Sequence, residues 1–187
     1  MDILAISGSL RAASSNSALL RVAVALAPVG VTITIYDGLG SLPLFNPDLD
    51  GEGALLPPAV AELRRLVGAA DGLLIASPEY AHGVPGALKN GLDWLVSSVD
   101  FPGKPVALIK TRPRATHAYA ALAETLTTMS ATLVADPALA VPLTNSQLDE
   151  AAIAADPALT TALREAIATF AGAIESPSMA RESVGVV

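Results

Sequence analysis

A chain of 187 residues with 52% hydrophobic and only 16% charged residues is too apolar to be disordered, and its length suits a single domain. Its charged residues, 11 Lys+Arg against 18 Asp+Glu, sum to −7, which argues against nucleic acid as a partner because a net acidic chain gains nothing from counterion release. Cysteine is absent, which excludes a disulfide scaffold, thiolate-bound zinc, iron–sulfur clusters and a thiol nucleophile.

No apolar run approaches the roughly 20 uninterrupted residues of a membrane span. The opening Met1-Asp2-Ile3-Leu4 has no basic stretch before its apolar run, so no secretory signal and no membrane partner are expected, and a cytoplasmic setting follows. So apolar a composition also predicts a buried subunit interface.

In chain order, Ile3 to Ser7 is a short apolar run ending at Gly8-Ser9 and reads as a buried strand. Asn16 to Ala27 reads as a helix with Leu19, Ala23, Leu26 and Ala27 on one face, closed by Pro28 and Gly30. Val31 to Tyr36 is a β-branched second strand. Asp37 to Pro58, rich in Gly, Pro and Asp, is a long loop of the kind that often carries function. A helix over Ala59 to Val67 and a strand over Gly72 to Ala76 follow. Gly86 to Val96 is a third helix, with Leu88, Leu92 and Leu95 on one side. Trp94 on that helix is read as a packing residue at a subunit contact. Pro105 to Ile109 is the fourth strand. Ala115 to Met129 is a helix striped by Ala118, Leu122, Leu126 and Met129, and Thr132 to Ala135 opens a fifth strand. Asp156 caps a last helix with Pro157 at its first position. The stretch from Pro177 to Val187 shows no period and is expected to be a mobile tail.

Five apolar strands alternating with helices predict one parallel sheet covered on both faces, a three-layer α/β/α sandwich. For a strand order of 2-1-3-4-5, ligands bind beyond the carboxyl ends of strands 1 and 3. The two most distinctive polar loops of the chain follow those two strands.

The first loop runs from Gly8 to Ser17 and enters the first helix. Ser9, Arg11, Ser14, Ser15, Asn16 and Ser17 could all donate to an anion there, where free backbone N–H groups and the helix dipole already favour negative charge. It lacks the Gly-Lys-Ser/Thr of a triphosphate loop and the Gly-x-Gly-x-x-Gly of a dinucleotide fingerprint, so a single terminal phosphate fits best. The second loop, Ser77-Pro78-Glu79-Tyr80-Ala81-His82-Gly83-Val84-Pro85-Gly86, has an irregular backbone whose amides could read the edge of a flat heteroaromatic ring. His82 is expected to be a partly exposed loop histidine rather than an acid–base group. No Ser/His/Asp set, paired carboxylates or metal-ligand cluster stands out, so no catalytic side chain and no metal are assigned.

These two loops resemble those of the NAD(P)H-dependent FMN reductases, a flavodoxin-like family that includes quinone reductases, azoreductases and chromate-reducing enzymes. The matching segments are Gly8-Ser9-Leu10-Arg11 with Ser14-x-Asn16, and Ser77-Pro78-Glu79-Tyr80-x-His82-Gly83-x-Pro85-Gly86-x-Leu88-Lys89-Asn90-x-Leu92-Asp93-Trp94. A looser match covers Leu42 to Leu49. The resemblance implies a flavodoxin-like sheet and FMN as cofactor. Ser9, Arg11, Ser14 and Asn16 would hold its phosphate, with Ser15 and Ser17 beside them. The backbone of Pro78, Glu79, Tyr80 and Ala81 would face the isoalloxazine, with His82 and Gly83 adjoining. The loop at Pro43 to Asp48 would border the open flavin face, in its own or a neighbouring subunit of a homodimer or homotetramer. One segment departs from the family: where a Gly-rich stretch is usual, this chain has Lys110-Thr111-Arg112-Pro113-Arg114-Ala115-Thr116-His117. Thr111 occupies the place of a small hydroxyl near the flavin, and Arg112 and Arg114 could attract NADPH phosphates or simply be solvated cations at a helix start.

The implied activity is hydride transfer from NADPH (or NADH) to flavin N5 and on to a small-molecule acceptor, a quinone, flavin or azo compound. The rival readings are a flavodoxin-type electron carrier, disfavoured by the missing Thr-Gly-x-Thr and an aromatic content of 4%, and a flavin-free interaction domain on the same fold.

Overall fold

A computed structural model describes residues 1–51, 53–143 and 147–176. Five parallel strands, β1 (Asp2–Ser7), β2 (Thr32–Tyr36), β3 (Gly72–Ala76), β4 (Pro105–Ile109) and β5 (Thr132–Val134), form one sheet in the order β2-β1-β3-β4-β5. The helices are α1 (Ser15–Leu26), α2 (Pro58–Ala69), α3 (Gly86–Asp93), α4 (Thr116–Thr128), α5 (Glu150–Ala155) and α6 (Pro157–Glu175). The expected sandwich and strand order are both present. The tail expected over 177–187 lies outside the described residues.

The central strands read as unbroken apolar runs because both of their faces are covered. Alternate residues divide between two cores. Ile3 and Ala5, Leu74 and Ala76, and Ala107 and Ile109 pack with α1 and α6. Leu4 and Ile6, Leu73 and Ile75, and Val106 and Leu108 pack with α2, α3 and α4. Gly72 is needed at the start of β3, since a Cβ there would lie 2.7 Å from Phe170 Cζ on α6. At the other end of α6's surface turn, Asp156 accepts from the backbone N–H of Ala158 and Leu159, the cap that its position before Pro157 predicts.

Several element ends shift by one or two residues, and three features depart further from expectation. α5 is additional, a six-residue helix capped by Asp149. The long loop from Asp37 to Pro57 contains two 3₁₀ turns, Gly38–Ser41 and Pro47–Leu49. α3 stops at Asp93 rather than Val96. The carbonyl of Trp94, which a continuing helix would bond to Ser98 N–H, accepts instead from Arg64 Nε (2.9 Å) and Nη2 (2.6 Å), and Ser98 N–H turns to Leu95.

This junction fastens the long loop. Arg64 Nη2 also pairs with Asp50 Oδ1 at 2.6 Å, and Ser97 Oγ donates to Asp50 Oδ2 at 2.6 Å. Asn90 accepts from Phe45 N–H (2.8 Å) and donates to the Pro43 carbonyl (3.0 Å), which also receives Trp94 Nε1 (2.8 Å). The Trp94 ring meets Phe45 edge-on, with centroids 5.0 Å apart. Trp94 is fully buried by its own chain, which corrects its expected place at a subunit contact: the indole holds the long loop down. Among the described residues no helix is long and apolar enough to cross a membrane.

Candidate functional site

The register places the ends of β1, β3 and β4 side by side, with Ser7 opposite Ala76 and Ala76 opposite Ile109. The loops leaving these strands therefore open at one edge of the sheet. Gly8 lets the first two approach: its N–H donates to the Ala76 carbonyl at 2.9 Å, and a Cβ there would fall 2.4 Å from Ser77 Oγ. Between the loops lies a cavity of about 250 Å³. Ser9, Arg11, Ser14, Ser15 and Asn16 line it from the first loop, Pro78, Glu79 and Tyr80 from the second, and Thr111, Arg112, Ala115 and Leu143 complete it.

Within the first loop the hydroxyls have separate tasks. Ser14 is the N-cap of α1 and accepts from Ser17 N–H at 3.3 Å. Ser9 Oγ accepts from Arg11 N–H (3.3 Å) and lies 3.4 Å from the Tyr80 hydroxyl, so it ties the first loop to the second. Ser17 Oγ is turned away, bonded to Ser7 Oγ at 2.8 Å, and takes no part in the lining. Ser15 Oγ is buried without a hydrogen-bond partner, and the Arg11 guanidinium has no ion pair or hydrogen bond among the described residues. A buried hydroxyl without a partner and an exposed arginine without one among the described residues stand beside the N-terminus of α1, groups that can receive an anion.

The second loop is built around Glu79. Its Oε2 accepts from Ala118 N–H at 2.8 Å and so caps α4, whose own capping position is an alanine that cannot. Beyond it the chain folds back in a two-residue hairpin: Tyr80 N–H donates to Gly83 O (3.1 Å) and Gly83 N–H to Tyr80 O (2.9 Å). Ala81 and His82 form its tip with φ of 49° and 60°. Ala81, His82 and Gly83 stand outside the cavity lining, and the Tyr80 N–H expected to face a ring is spent on the hairpin. His82 is exposed and stacks on His117 of α4, with ring centroids 4.4 Å apart.

From the third loop, Thr111 is 3% exposed and its Oγ1 donates to Asn16 Oδ1 at 2.9 Å. Arg112 reaches the cavity, whereas Arg114 is exposed and outside the lining. Sequence reasoning missed Leu143. It arrives because the chain over 139–143 runs alongside the end of β4, through Lys110 N–H to Leu139 O (2.9 Å), Val141 N–H to Lys110 O (3.2 Å) and Leu143 N–H to Thr111 O (2.9 Å). No periodicity or motif marks that segment. Nearby Tyr119 has its phenol pushed above the ordinary range by burial, so it stays neutral near pH 7.

The family model for NADPH-dependent FMN reductases matches residues 1–146. An NAD(P)H-dependent FMN reductase of Pseudomonas aeruginosa is 43% identical over 111 residues, 58% of this chain and 58% of that protein. A quinone reductase of Escherichia coli is 36% identical over 113 residues, 59% of each chain. These matches thus span less than two thirds of either relative. The solved structure of a flavoenzyme NAD(P)H:(acceptor) oxidoreductase from Paracoccus denitrificans superposes with a TM-score of 0.76 at 28% identity, covering 93% of this chain and 97% of that one.

Proposed function

We propose, on the premise that this chain belongs to the NADPH-dependent FMN reductase family, that it is an FMN-dependent oxidoreductase that draws electrons from NAD(P)H and delivers them to a quinone or similar small acceptor. The observation that carries the reading is the unpaired anion receptor, Ser15 Oγ and Arg11, in one cavity with the loop after β3. Bound FMN would supply the redox chemistry, moving two electrons between the nicotinamide and the acceptor.

The residues of the chain bind and orient. Arg11, Ser15, Asn16 and the first-turn amides of α1 would hold the phosphate. The Ser9–Tyr80 contact would keep the phosphate loop in register with the ring-binding loop. Glu79 fixes that loop against α4. Arg112, a cation in the lining of a net acidic protein, would draw in the phosphates of NADPH. No side chain is assigned as a proton donor, because the cofactor itself carries the transfer. The quinone assignment follows the named relatives, and those are reductases, which weighs against an electron-carrier role. We assign the enzyme to the cytoplasm, where NADPH is available, and to a homodimer or homotetramer. Leu44, Val96 and Val99, all strongly exposed around the long loop and the end of α3, are the apolar surface such an assembly would cover.

The test is an absorbance spectrum. Purified protein reconstituted with FMN should be yellow, and anaerobic NADPH should bleach it, with colour restored by a quinone. Protein that takes up no FMN, or holds FMN that NADPH leaves unchanged, overturns the reading.

A further inference from the structure

We propose that Thr111 is a positioning residue: it holds the Asn16 carboxamide with its oxygen turned back into the protein, so that the amino group is the part of Asn16 offered to the bound anion. The inference rests on the FMN reading above and goes beyond it, because it gives the residue after β4 a role through another side chain rather than a contact of its own.

The geometry is specific. Thr111 Oγ1 lies 2.9 Å from Asn16 Oδ1, joining loops 95 residues apart in sequence. A threonine hydroxyl has one hydrogen, and here it is spent on the carboxamide oxygen. An asparagine whose oxygen is already engaged has only N–H donors left to present. The opposite rotamer would aim a carbonyl dipole at a phosphate and weaken the receptor. Asn16 is a lining residue of the cavity, at the second position of α1, where an anion is already favoured.

Thr111 is suited to the task because it cannot drift. It is buried, and its carbonyl accepts from Leu143 N–H at 2.9 Å. The preceding residue is held from both sides, Lys110 N–H to Leu139 O and Val141 N–H to Lys110 O. The segment over 139–143 thereby acts as a clamp on the end of β4.

The experiment compares FMN with riboflavin, which lacks the phosphate, by fluorescence titration of the apoprotein. Thr111→Val should weaken FMN binding about tenfold, because the Asn16 N–H is no longer held toward the charged phosphate, while riboflavin affinity stays within about twofold. Thr111→Ser should restore FMN affinity. In an Asn16→Ala background, Thr111→Val should have no further effect, because the side chain it acts through is gone. Should the valine variant not fold, Thr111→Ala must show the same selective loss. Equal weakening of both flavins, or a full loss from Thr111→Val in the Asn16→Ala background, overturns the role. A Thr111→Val protein indistinguishable from wild type overturns it too, leaving the FMN reading intact. Wild-type protein with no FMN affinity removes that reading and this role together.

Discussion

The molecule treats its polar side chains in two opposite ways. Under the long loop, Arg64, Asp50, Ser97, Asn90 and Trp94 satisfy one another and the backbone, and Asn90 spends both its oxygen and its amide nitrogen inside the protein. Beside the cavity, Asn16 spends only its oxygen, Ser15 Oγ has no partner, and the Arg11 guanidinium is unpaired among the described residues. Asn90 and Arg64 on one side, and Asn16 and Arg11 on the other, thus meet contrary fates. A closed network is what holds a fold, since every buried group left open costs free energy. Of the open groups, only the Ser15 hydroxyl is both buried and without a partner, and it is the one that a bound anion would satisfy under the proposed function.

The contrast can be broken at either side. The largest effect is expected from Arg64→Ala, which strands the Asp50 carboxylate, only 7% exposed, without its cation. Breaking such a pair costs about 3–5 kcal/mol. A chain of this size should then melt roughly 10 °C lower by calorimetry. Its FMN affinity should stay within about threefold of wild type, because the two networks share no partner. A large loss of flavin with little loss of stability would invert the assignment of the two regions.

Arg11→Ala should do the reverse. FMN binding should weaken by about 1.5–3 kcal/mol in a calorimetric titration, the range for a hydrogen bond to a charged group, with the melting temperature almost unchanged. Unaltered affinity would remove Arg11 from the receptor.

Ser15→Ala sharpens the contrast further, because its two effects have opposite signs. The hydroxyl is buried and unsatisfied in the free protein, so deleting it should leave the apoprotein equally or more stable, while FMN binding weakens by about 1 kcal/mol. A variant that loses stability and keeps its affinity would show that Ser15 belongs with the closed network.

The smallest effect is expected at His82. The side chain is exposed, stacked on His117 and outside the cavity lining, so His82→Ala should keep kcat within about tenfold, whereas a general acid–base group is worth about 10²–10⁴-fold. A loss of several decades with flavin still bound would make it catalytic.

Much of the architecture was legible in the residues. Strands buried on both faces must be continuous apolar runs, as in Leu73-Leu74-Ile75, and α4 must carry Ala118, Leu122 and Leu126 at intervals of four. What escaped was whatever depends on distant backbone. α5 is too short to show a period. The clamp over 139–143 is made of main-chain bonds that no side-chain pattern encodes. Glu79 looks like a surface carboxylate until folding brings it to the N-terminus of α4, 39 residues on. Within the hydroxyl-rich loop, composition marked the location but could not distribute the tasks: Ser14 caps, Ser17 turns inward to Ser7, and Ser15 is left over.

The hairpin tip at Ala81 and His82 carries one more implication. Two successive left-handed residues favour Asn-Gly, and holding Ala and His there costs roughly 1–2 kcal/mol apiece. Ala81→Asn and His82→Gly would release that tension at a spot whose side chains do not shape the pocket. A lineage or an engineer could draw on this reserve to offset harmful changes in the cavity, which makes the turn a source of evolvability.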